Sequence, residues 1–338
     1  MRVCVLTTSY PRFPGDVAGA FVAELVEHVR AAGAEVTVVS PADFPHFGIA
    51  FGAGIIQNLR AKPWLLLALP LFLGAFARAA RKAARGADVV HAHWLPSAFP
   101  ALATGKPFVL QLWGSDVELA RRLRLPLGPL LRRARVVIGA SEFLAAQARA
   151  LGARTVSVVP FGVEIPAEVG PPGEPPHALY VGRLSEEKGV LEFLAASAGL
   201  PRVVVGDGPL RQHVPEAVGF VAHDRIGPYY ERAALVCVPS RREGYGMVAR
   251  EAMAYGRPVI ATAVGGLADA VVDRVTGLLV EPGSILQLRA ALVALLGDPH
   301  RAARLGGNGR ETARRDYSWP VASAALLELY AATSRRTR

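Results

Sequence analysis

The sequence has few cysteines, few lysines and no hydrophobic run long enough to span a bilayer. Its 338 residues include 2 cysteines, and both Cys4 and Cys237 lie in short apolar runs typical of buried strands. We expect these to be core thiols in a reducing compartment rather than a disulfide or a metal site. The first apolar run, Val3–Thr8, is too short for the h-region of a signal peptide, so the sequence predicts a cytoplasmic protein.

Acidic residues are scarce in the first half of the chain. Up to Ile165 there are 18 Lys+Arg against 10 Asp+Glu, whereas the remainder holds 20 against 18. Most of the net charge of +10 therefore belongs to the first half and predicts an acidic partner there: nucleic acid, anionic lipid or a phosphorylated compound. These arginines lie in helical stretches without interleaved aromatic residues, and no nucleic-acid motif is present, so we predict no nucleic-acid partner.

One segment, Trp64–Ala77, has 14 residues without a charge. It is too short for a membrane-spanning helix, which needs about 20 apolar residues, and a proline and a glycine interrupt it. The cations that flank it are Lys62, Arg78, Arg81, Lys82 and Arg85. Two interpretations remain: a buried core helix, or a helix in the membrane interface with cations facing anionic headgroups. The arginines favour the interface, which makes the inner face of the plasma membrane a candidate location.

Short β-branched runs alternate with longer amphipathic stretches along the chain, which predicts an α/β fold with parallel sheets. The segment 166–176 (PAEVGPPGEPP) has no periodicity and predicts a stiff linker. We therefore predict Rossmann-like doubly wound domains over 1–165 and 177–316, and a closing segment over 317–338. Two such domains are expected to face each other across a cleft and to bind a ligand at the carboxyl ends of their strands.

Twelve short apolar runs are predicted to be strands. In the first half the predicted strands are Val3–Thr8, Glu35–Ser40, Val89–His91, Phe108–Leu112, Val136–Gly139 and Val156–Val159. In the second half they are Ala178–Val181, Arg202–Val205, Gly219–Val221, Leu235–Val238, Pro258–Ala261 and Gly277–Val280. Helices Lys188–Ala196 and Met247–Tyr255 are predicted between the latter.

Two carboxylates separated by seven residues, Glu243 and Glu251, lie across a predicted strand-to-helix junction. The free amides at the helix start are predicted to bind a diphosphate. These amides belong to Gly246, Met247 and Val248. From the loop Glu243 can reach a sugar, while Glu251, about one and a half turns into the helix, can accept hydrogen bonds from ribose hydroxyls. The alternative is a pair of solvated carboxylates.

A second candidate loop, Gly182–Gly189, follows the predicted strand Ala178–Val181. Arg183 and Lys188 in this loop are predicted to converge on the phosphates and to neutralise the charge of a leaving diphosphate. The chain has 34 arginines and 4 lysines, and Lys188 is the only lysine after Lys106. The alternative is that both are surface cations paired with the neighbouring glutamates.

Together these motifs resemble the retaining glycosyltransferases of family 4, which have the GT-B fold. The resemblance is carried by Gly182-Arg-Leu with Glu187-Lys-Gly, Gly206-Asp-Gly-Pro, Pro239-Ser240, Glu243-x7-Glu251 with Gly256-x-Pro258, and Gly265-Gly266. It implies that Arg183 and Lys188 bind donor phosphates, that Glu251 binds the ribose and that Glu243 contacts the transferred sugar. The base is expected near Ala222–Gly227, and the closing segment is expected to cross back onto the first domain.

The first half resembles the family less tightly. Gly19 looks like part of its glycine-bearing first loop, which approaches the donor phosphate. His93, Trp113 and Asp116 follow two predicted strands and are expected in the same cleft, with His93 and Asp116 joining Glu243 as candidate catalytic residues. The alternative for His93 is a structural role beside Trp94. Many members have histidine where Trp113 stands. We therefore assign Trp113, together with Tyr245, to the acceptor or sugar pocket.

No Asp-x-Asp triplet occurs in the sequence. The carboxylates that chelate a metal for diphosphate binding are therefore missing, and we predict no metal and no cofactor. The resemblance implies transfer of a hexose from a UDP- or GDP-linked donor to a sugar, lipid-linked or phosphorylated acceptor. The alternatives are a nucleotide-sugar epimerase with the same architecture and a non-catalytic nucleotide-sugar-binding subunit.

Overall fold

The structure is a computed structural model that describes residues 1–13, 15–51, 54–115, 117 and 127–335. The chain forms two compact units, one comprising Met1–Phe161 with Ala322–Arg338 and the other Gly162–Val321. The predicted catalytic residue Asp116 lies outside the described residues.

The first unit contains a six-stranded, entirely parallel sheet. Its strands are β1 (Arg2–Leu6), β2 (Glu35–Val39), β3 (Val89–His93), β4 (Phe108–Leu112), β5 (Val136–Gly139) and β6 (Val156–Val158). Its helices are α1 (Ala20–Ala31), α2 (Ile55–Ala61), α3 (Leu69–Ala83), α4 (Leu95–Ala103), α5 (Gly128–Leu131) and α6 (Glu142–Ala150). Every residue of β3 and β4 is buried, as expected of parallel strands covered on both faces.

The second unit contains a five-stranded parallel sheet. Its strands are β7 (Ala178–Val181), β8 (Arg202–Val205), β9 (Leu235–Val238), β10 (Val259–Thr262) and β11 (Gly277–Val280). Its helices are α7 (Val190–Ala196), α8 (Gly227–Arg232), α9 (Met247–Ala254), α10 (Gly265–Ala270), α11 (Ile285–Leu296) and α12 (Pro299–Thr312). The predicted strand at Gly219–Val221 is wrong, since Gly219 has a positive φ of 95° and pairs with Gly206 only through one isolated bridge.

The order of the strands in each sheet determines which loops are neighbours. The first sheet has the order β2–β1–β3–β4–β5–β6, and the second has the order β11–β10–β9–β7–β8. The chain changes direction across the first sheet between β1 and β3, and across the second between β7 and β9. Ligands of open parallel sheets bind outside the carboxyl ends of the strands at such switch points. The prediction of two doubly wound α/β domains is confirmed.

Two connecting segments are held by side chains. The proline-rich segment 166–176 belongs to the second unit, where the Arg257 guanidinium donates to the carbonyl of Gly170 at 2.6 Å and that of Arg310 donates to the carbonyl of Pro166 at 2.5 Å. The last helix, α13 (Trp319–Arg335), contributes its residues from Ala322 onward to the first unit. There the Tyr330 hydroxyl lies 2.6 Å from Nδ1 of His91 on β3.

Candidate functional site

The loops after β7 and β9 are fastened to each other at the switch point of the second sheet. The amide of Arg241 donates to the carbonyl of Glu187 at 2.8 Å. Gly189 has a φ of 70°, and a Cβ at this position would lie 2.0 Å from the carbonyl oxygen of Pro239. Only glycine permits so close an approach of the two backbones, so the Gly182–Gly189 loop needs glycine at its end.

Lys188 and Glu243 meet across these two loops. The Lys188 ammonium donates to Oε2 of Glu243 at 2.7 Å, and the Ser240 hydroxyl donates to the same oxygen at 3.3 Å. Both charged side chains are only partly exposed, which makes their interaction stronger than that of a surface pair. The structure therefore brings together a cation and a carboxylate from the ends of two neighbouring strands.

Helix α9 begins just beyond this pair. Gly246 precedes it in a left-handed conformation with φ of 84°, and a Cβ there would lie 2.8 Å from a methyl group of Leu267. The amides of the first turn, among them Met247 and Val248, have no acceptor within the helix and provide a site for an anion. The structure thus places all three predicted amides at a helix N-terminus next to Glu243.

Beneath this helix start lies a buried arginine that the sequence analysis did not single out. The Arg250 guanidinium stacks 3.8 Å from the ring centroid of Tyr245 and 4.5 Å from that of Tyr317, and it donates to the Tyr245 carbonyl. Tyr245, predicted to line the acceptor or sugar pocket, is buried in this stack. Its ring therefore stiffens the loop that carries Glu243.

Glu251 is fixed by two side chains that the sequence analysis also missed. The Tyr230 hydroxyl donates to Oε2 of Glu251 at 2.5 Å, and Nε2 of His223 donates to Oε1 at 2.8 Å. Burial first, and the charge of Glu251 second, raise the pKa of Tyr230 well above its usual value, so its hydroxyl stays a donor. His223 lies in the segment Ala222–Gly227, where the nucleobase was expected. Tyr230 lies in the short helix α8, and its residue type was the only feature of the sequence that could have indicated a polar contact.

Arg183 lies at the end of β7, with its side chain exposed to solvent. The Tyr180 hydroxyl donates to its carbonyl oxygen at 3.0 Å, which fixes the backbone. Among the described residues the Arg183 guanidinium forms no ion pair, and it remains available to a ligand. The structure therefore joins Lys188 with Glu243 directly and leaves Arg183 as a separate cation on the same loop.

Three predicted residues of the first unit are described: Gly19 follows β1, His93 ends β3 and Trp113 follows β4. Gly19 caps α1 with φ of 67°, and a Cβ there would lie 2.2 Å from the Ser9 carbonyl oxygen. Strand β3 runs two residues further than predicted and includes His93, which is fully buried. Burial lowers the pKa of His93 well below its usual value, so the imidazole is neutral.

His93 supports Trp113. The Trp113 indole N–H donates to Nδ1 of His93 at 3.2 Å, and the two rings stack with centroids 5.8 Å apart. Because Nδ1 accepts, the proton of the neutral ring sits on Nε2. Phe21, Trp94 and Phe161 pack around Trp113 with ring centroids 4.6 to 6.2 Å away. His93 thus positions an aromatic cluster whose two indoles are partly exposed.

Comparisons with known proteins identify the family and the fold of the chain. The family model for glycosyl transferases group 1 matches residues 163–312 of the chain. The family model for glycosyltransferase family 4 matches residues 18–165. A D-inositol 3-phosphate glycosyltransferase of Xylanimonas cellulosilytica is 36% identical over 188 residues, which cover 50% of this chain and 45% of that protein. The chain thus aligns with less than half the length of this relative.

Two solved structures share the fold over almost the whole chain. The sucrose-phosphate synthase of Thermosynechococcus elongatus superposes with a TM-score of 0.80 at 25% identity and covers 98% of both chains. The Anabaena protein HepE, solved in complex with UDP-glucose, superposes with a TM-score of 0.73 at 20% identity and covers 98% of this chain and 100% of its own.

Proposed function

Because this chain belongs to the GT-B glycosyltransferases of family 4, we propose that it transfers a hexose from a nucleoside-diphosphate sugar to an acceptor hydroxyl. Membership follows from the two family models, which together match residues 18–312, and it confirms the family predicted from the motifs. We propose further that the reaction retains the anomeric configuration and needs no metal ion.

The observation that carries the proposal is the cluster at the switch point of the second sheet. Lys188 and the amides at the start of α9 provide positive charge and donors for a diphosphate. Glu251, held by Tyr230 and His223, presents a carboxylate to ribose hydroxyls. Glu243 lies three residues before the first of these amides and contacts Lys188, so our assignment makes it the carboxylate nearest to the sugar–phosphate bond.

In the proposed reaction the bond between the anomeric carbon and the diphosphate oxygen breaks with both electrons on the oxygen. The acceptor oxygen attacks the anomeric carbon from the same face, and its proton passes to the departing phosphate. Lys188, Arg183 and the helix amides stabilise the negative charge on the leaving diphosphate. Glu243 stabilises the positive charge that develops on the sugar or holds the ring in place.

The donor and acceptor classes are supported by relatives. HepE binds UDP-glucose, which supports a UDP-linked hexose, with GDP as the alternative base. The relative named D-inositol 3-phosphate glycosyltransferase supports a phosphorylated acceptor, in keeping with the basic first half of this chain. A sugar or a lipid-linked hydroxyl remains an alternative acceptor. We propose that the base lies against the segment that contains His223.

Nucleotide release tests the reaction class. The protein is incubated with UDP- and GDP-hexoses, with and without sugar-phosphate and lipid-phosphate acceptors, and free nucleoside diphosphate is measured. A transferase releases it only when an acceptor is present, an epimerase converts the donor without acceptor, and a binding subunit does neither in a single-turnover experiment. The last two outcomes would remove the proposal.

The stereochemical and metal claims are tested on the same reaction. Proton NMR of the product is expected to show the anomeric configuration of the donor, and an inverted product would exclude the retaining mechanism. Excess EDTA is expected to leave the rate unchanged. A rate that EDTA abolishes and added Mg²⁺ or Mn²⁺ restores would show that the cations and amides do not suffice for the diphosphate.

A further inference from the structure

The helical segment Pro63–Gly86 of the first unit has one face in the core and one face in solvent. Its inner side includes Leu65, Phe72 and Phe76, which are buried in the hydrophobic core. Its outer side exposes four large apolar side chains, which we call the apolar ridge. These are Trp64 (64% exposed), Leu66 (54%), Leu67 (85%) and Leu71 (61%). So many large apolar groups in one stretch indicate a surface that binds a partner.

The charged residues on the stretch of chain that carries the ridge all have one sign. Between Asp43 and Asp88 the sequence contains no acidic residue. The cations of this stretch are Arg60, Lys62, Arg78, Arg81, Lys82 and Arg85. Arg81 donates to the carbonyl of Ala103 at 2.6 Å, whereas Arg78, Lys82 and Arg85 are exposed, and we call these three the basic flank. An apolar ridge on a stretch of chain whose charged side chains are all positive is complementary to an anionic lipid headgroup layer.

The same segment is not expected to cross a membrane. The helix is 24 residues long and contains an 18-residue stretch of mean hydropathy 1.6, so by length and composition it is enough to span a bilayer, unlike the 14 uncharged residues considered in the sequence alone. However, crossing would remove Phe72 and Phe76 from the core, in which Phe44 stacks on Phe76 with ring centroids 4.6 Å apart. Only the outer face can therefore meet lipid, and tryptophan on that face suits the boundary between headgroups and acyl chains.

We propose that the apolar ridge inserts into the headgroup region of an anionic membrane while the basic flank contacts the headgroup phosphates. The surface lies in the first unit and shares no residue with the proposed donor site, so the inference does not depend on the transfer reaction. If it holds, it favours a lipid-linked acceptor among the proposed classes. It also places the protein on an anionic cytoplasmic leaflet.

Vesicle binding tests the lipid surface. We expect the full chain to co-sediment with vesicles that contain phosphatidylglycerol and much less with pure phosphatidylcholine, and the binding should weaken as NaCl is raised. The fluorescence of Trp64 should shift to the blue on binding, and this shift should be missing in Trp64→Phe. Equal binding to both vesicle types, or binding to neither, would overturn the proposal.

Substitutions test the basic flank and the apolar ridge separately. Replacing Arg78, Lys82 and Arg85 with Gln should weaken binding to anionic vesicles roughly 100-fold, at about one factor of five per cation. The matched control replaces Arg274, Arg304 and Arg314, which are exposed in the second unit, and should bind as the wild type does. If both triple variants lose binding equally, the attraction comes from overall charge and the basic flank is not the docking site.

The ridge is tested with Leu66→Ser/Leu67→Ser. This variant should keep the wild-type melting temperature and its transfer rate with a water-soluble acceptor, yet lose most vesicle binding. Leu65→Ser, one residue away but buried, should instead lower the melting temperature. Leu286→Ser, an 81% exposed leucine in the second unit, is the control and should retain binding. Wild-type binding by the Leu66/Leu67 variant would show that the ridge does not meet the membrane.

Discussion

The Lys188 ammonium lies 2.7 Å from Oε2 of Glu243, although 55 residues separate the two in sequence. The pair exists because β7 and β9 are neighbours in the sheet, so the loops that follow them meet at the switch point. A diphosphate that binds Lys188 competes with Glu243 for the same ammonium. Donor binding is therefore expected to free the Glu243 carboxylate for the sugar, which gives the two residues different mutant phenotypes.

Lys188→Ala should weaken the binding of nucleoside diphosphate and of inorganic pyrophosphate. A charge-assisted contact is worth about 1.5–3 kcal/mol, which corresponds to roughly 10- to 150-fold in affinity. Calorimetric titration measures both ligands. Arg242→Ala removes an exposed cation of the neighbouring loop, 3.5 Å from Glu187, and should bind both ligands normally. Unchanged affinity in Lys188→Ala would disprove the phosphate assignment.

Glu243→Gln should lower turnover without weakening the binding of nucleoside diphosphate, the opposite of Lys188→Ala. The variant loses the negative charge that stabilises the sugar in the transition state, so kcat should fall at least as far as kcat/KM. At the same time its neutral amide no longer holds the Lys188 charge, so nucleoside diphosphate should bind as tightly as in the wild type or more tightly. A variant with weakened nucleotide binding and normal turnover would exchange the roles assigned to Glu243 and Glu251.

Glu251→Gln should weaken the binding of UDP or GDP while leaving that of pyrophosphate unchanged, because its partner is the ribose. Tyr230→Phe should give a smaller loss of the same kind, since it removes only the donor that fixes the carboxylate. The control is Tyr255→Phe, whose ring stacks on Tyr230 with centroids 5.4 Å apart and which is not assigned a ligand. If pyrophosphate affinity fell in parallel with UDP affinity in Glu251→Gln, the carboxylate would not be a ribose ligand.

The sequence predicted the strands next to the site well. Ala178–Val181 and Leu235–Val238 have the predicted bounds, because short β-branched runs end at a glycine and a proline. The pairing of Lys188 with Glu243 was not predictable in this way. Nothing in the two loops shows that β9, which follows β8 in the chain, is also a neighbour of β7 in the sheet. The carboxylate roles were therefore inferred from motif positions, and the structure supplied the contact.

Contacts between distant segments account for what the sequence analysis missed. Tyr230 reaches Glu251 from α8, a helix of six residues that is too short to show periodicity. His93 looked like a loop residue because its strand continues through a His-Ala-His run, and its partner Trp113 comes from the next strand. Tyr330 meets His91 across 239 residues through the last helix. Burial of these polar groups depends on tertiary packing, which hydrophobic patterns do not report.

Two buried histidines should make the protein less stable as the pH falls. Burial lowers the pKa of His91 to about 3 and that of His93 well below its usual value. The unfolded chain takes up protons at these histidines below pH of about 6.5, whereas the folded chain does not, so the unfolding free energy falls as the pH drops below that value. By pH 5 His91 should account for a loss of about 2 kcal/mol relative to pH 8, and His93 should add a loss in the same direction.

Urea unfolding at a series of pH values measures this dependence. His91→Gln, which keeps an acceptor for the Tyr330 hydroxyl, should lose stability at pH 8 but lose less between pH 8 and pH 5 than the wild type does. His300→Gln, which replaces an exposed histidine on α12, is the control for removing a histidine outside the core. Because most carboxylates protonate below pH of about 5, the comparison is confined to the range above it. Parallel curves for the wild type and His91→Gln would show that His91 is not held neutral by the fold.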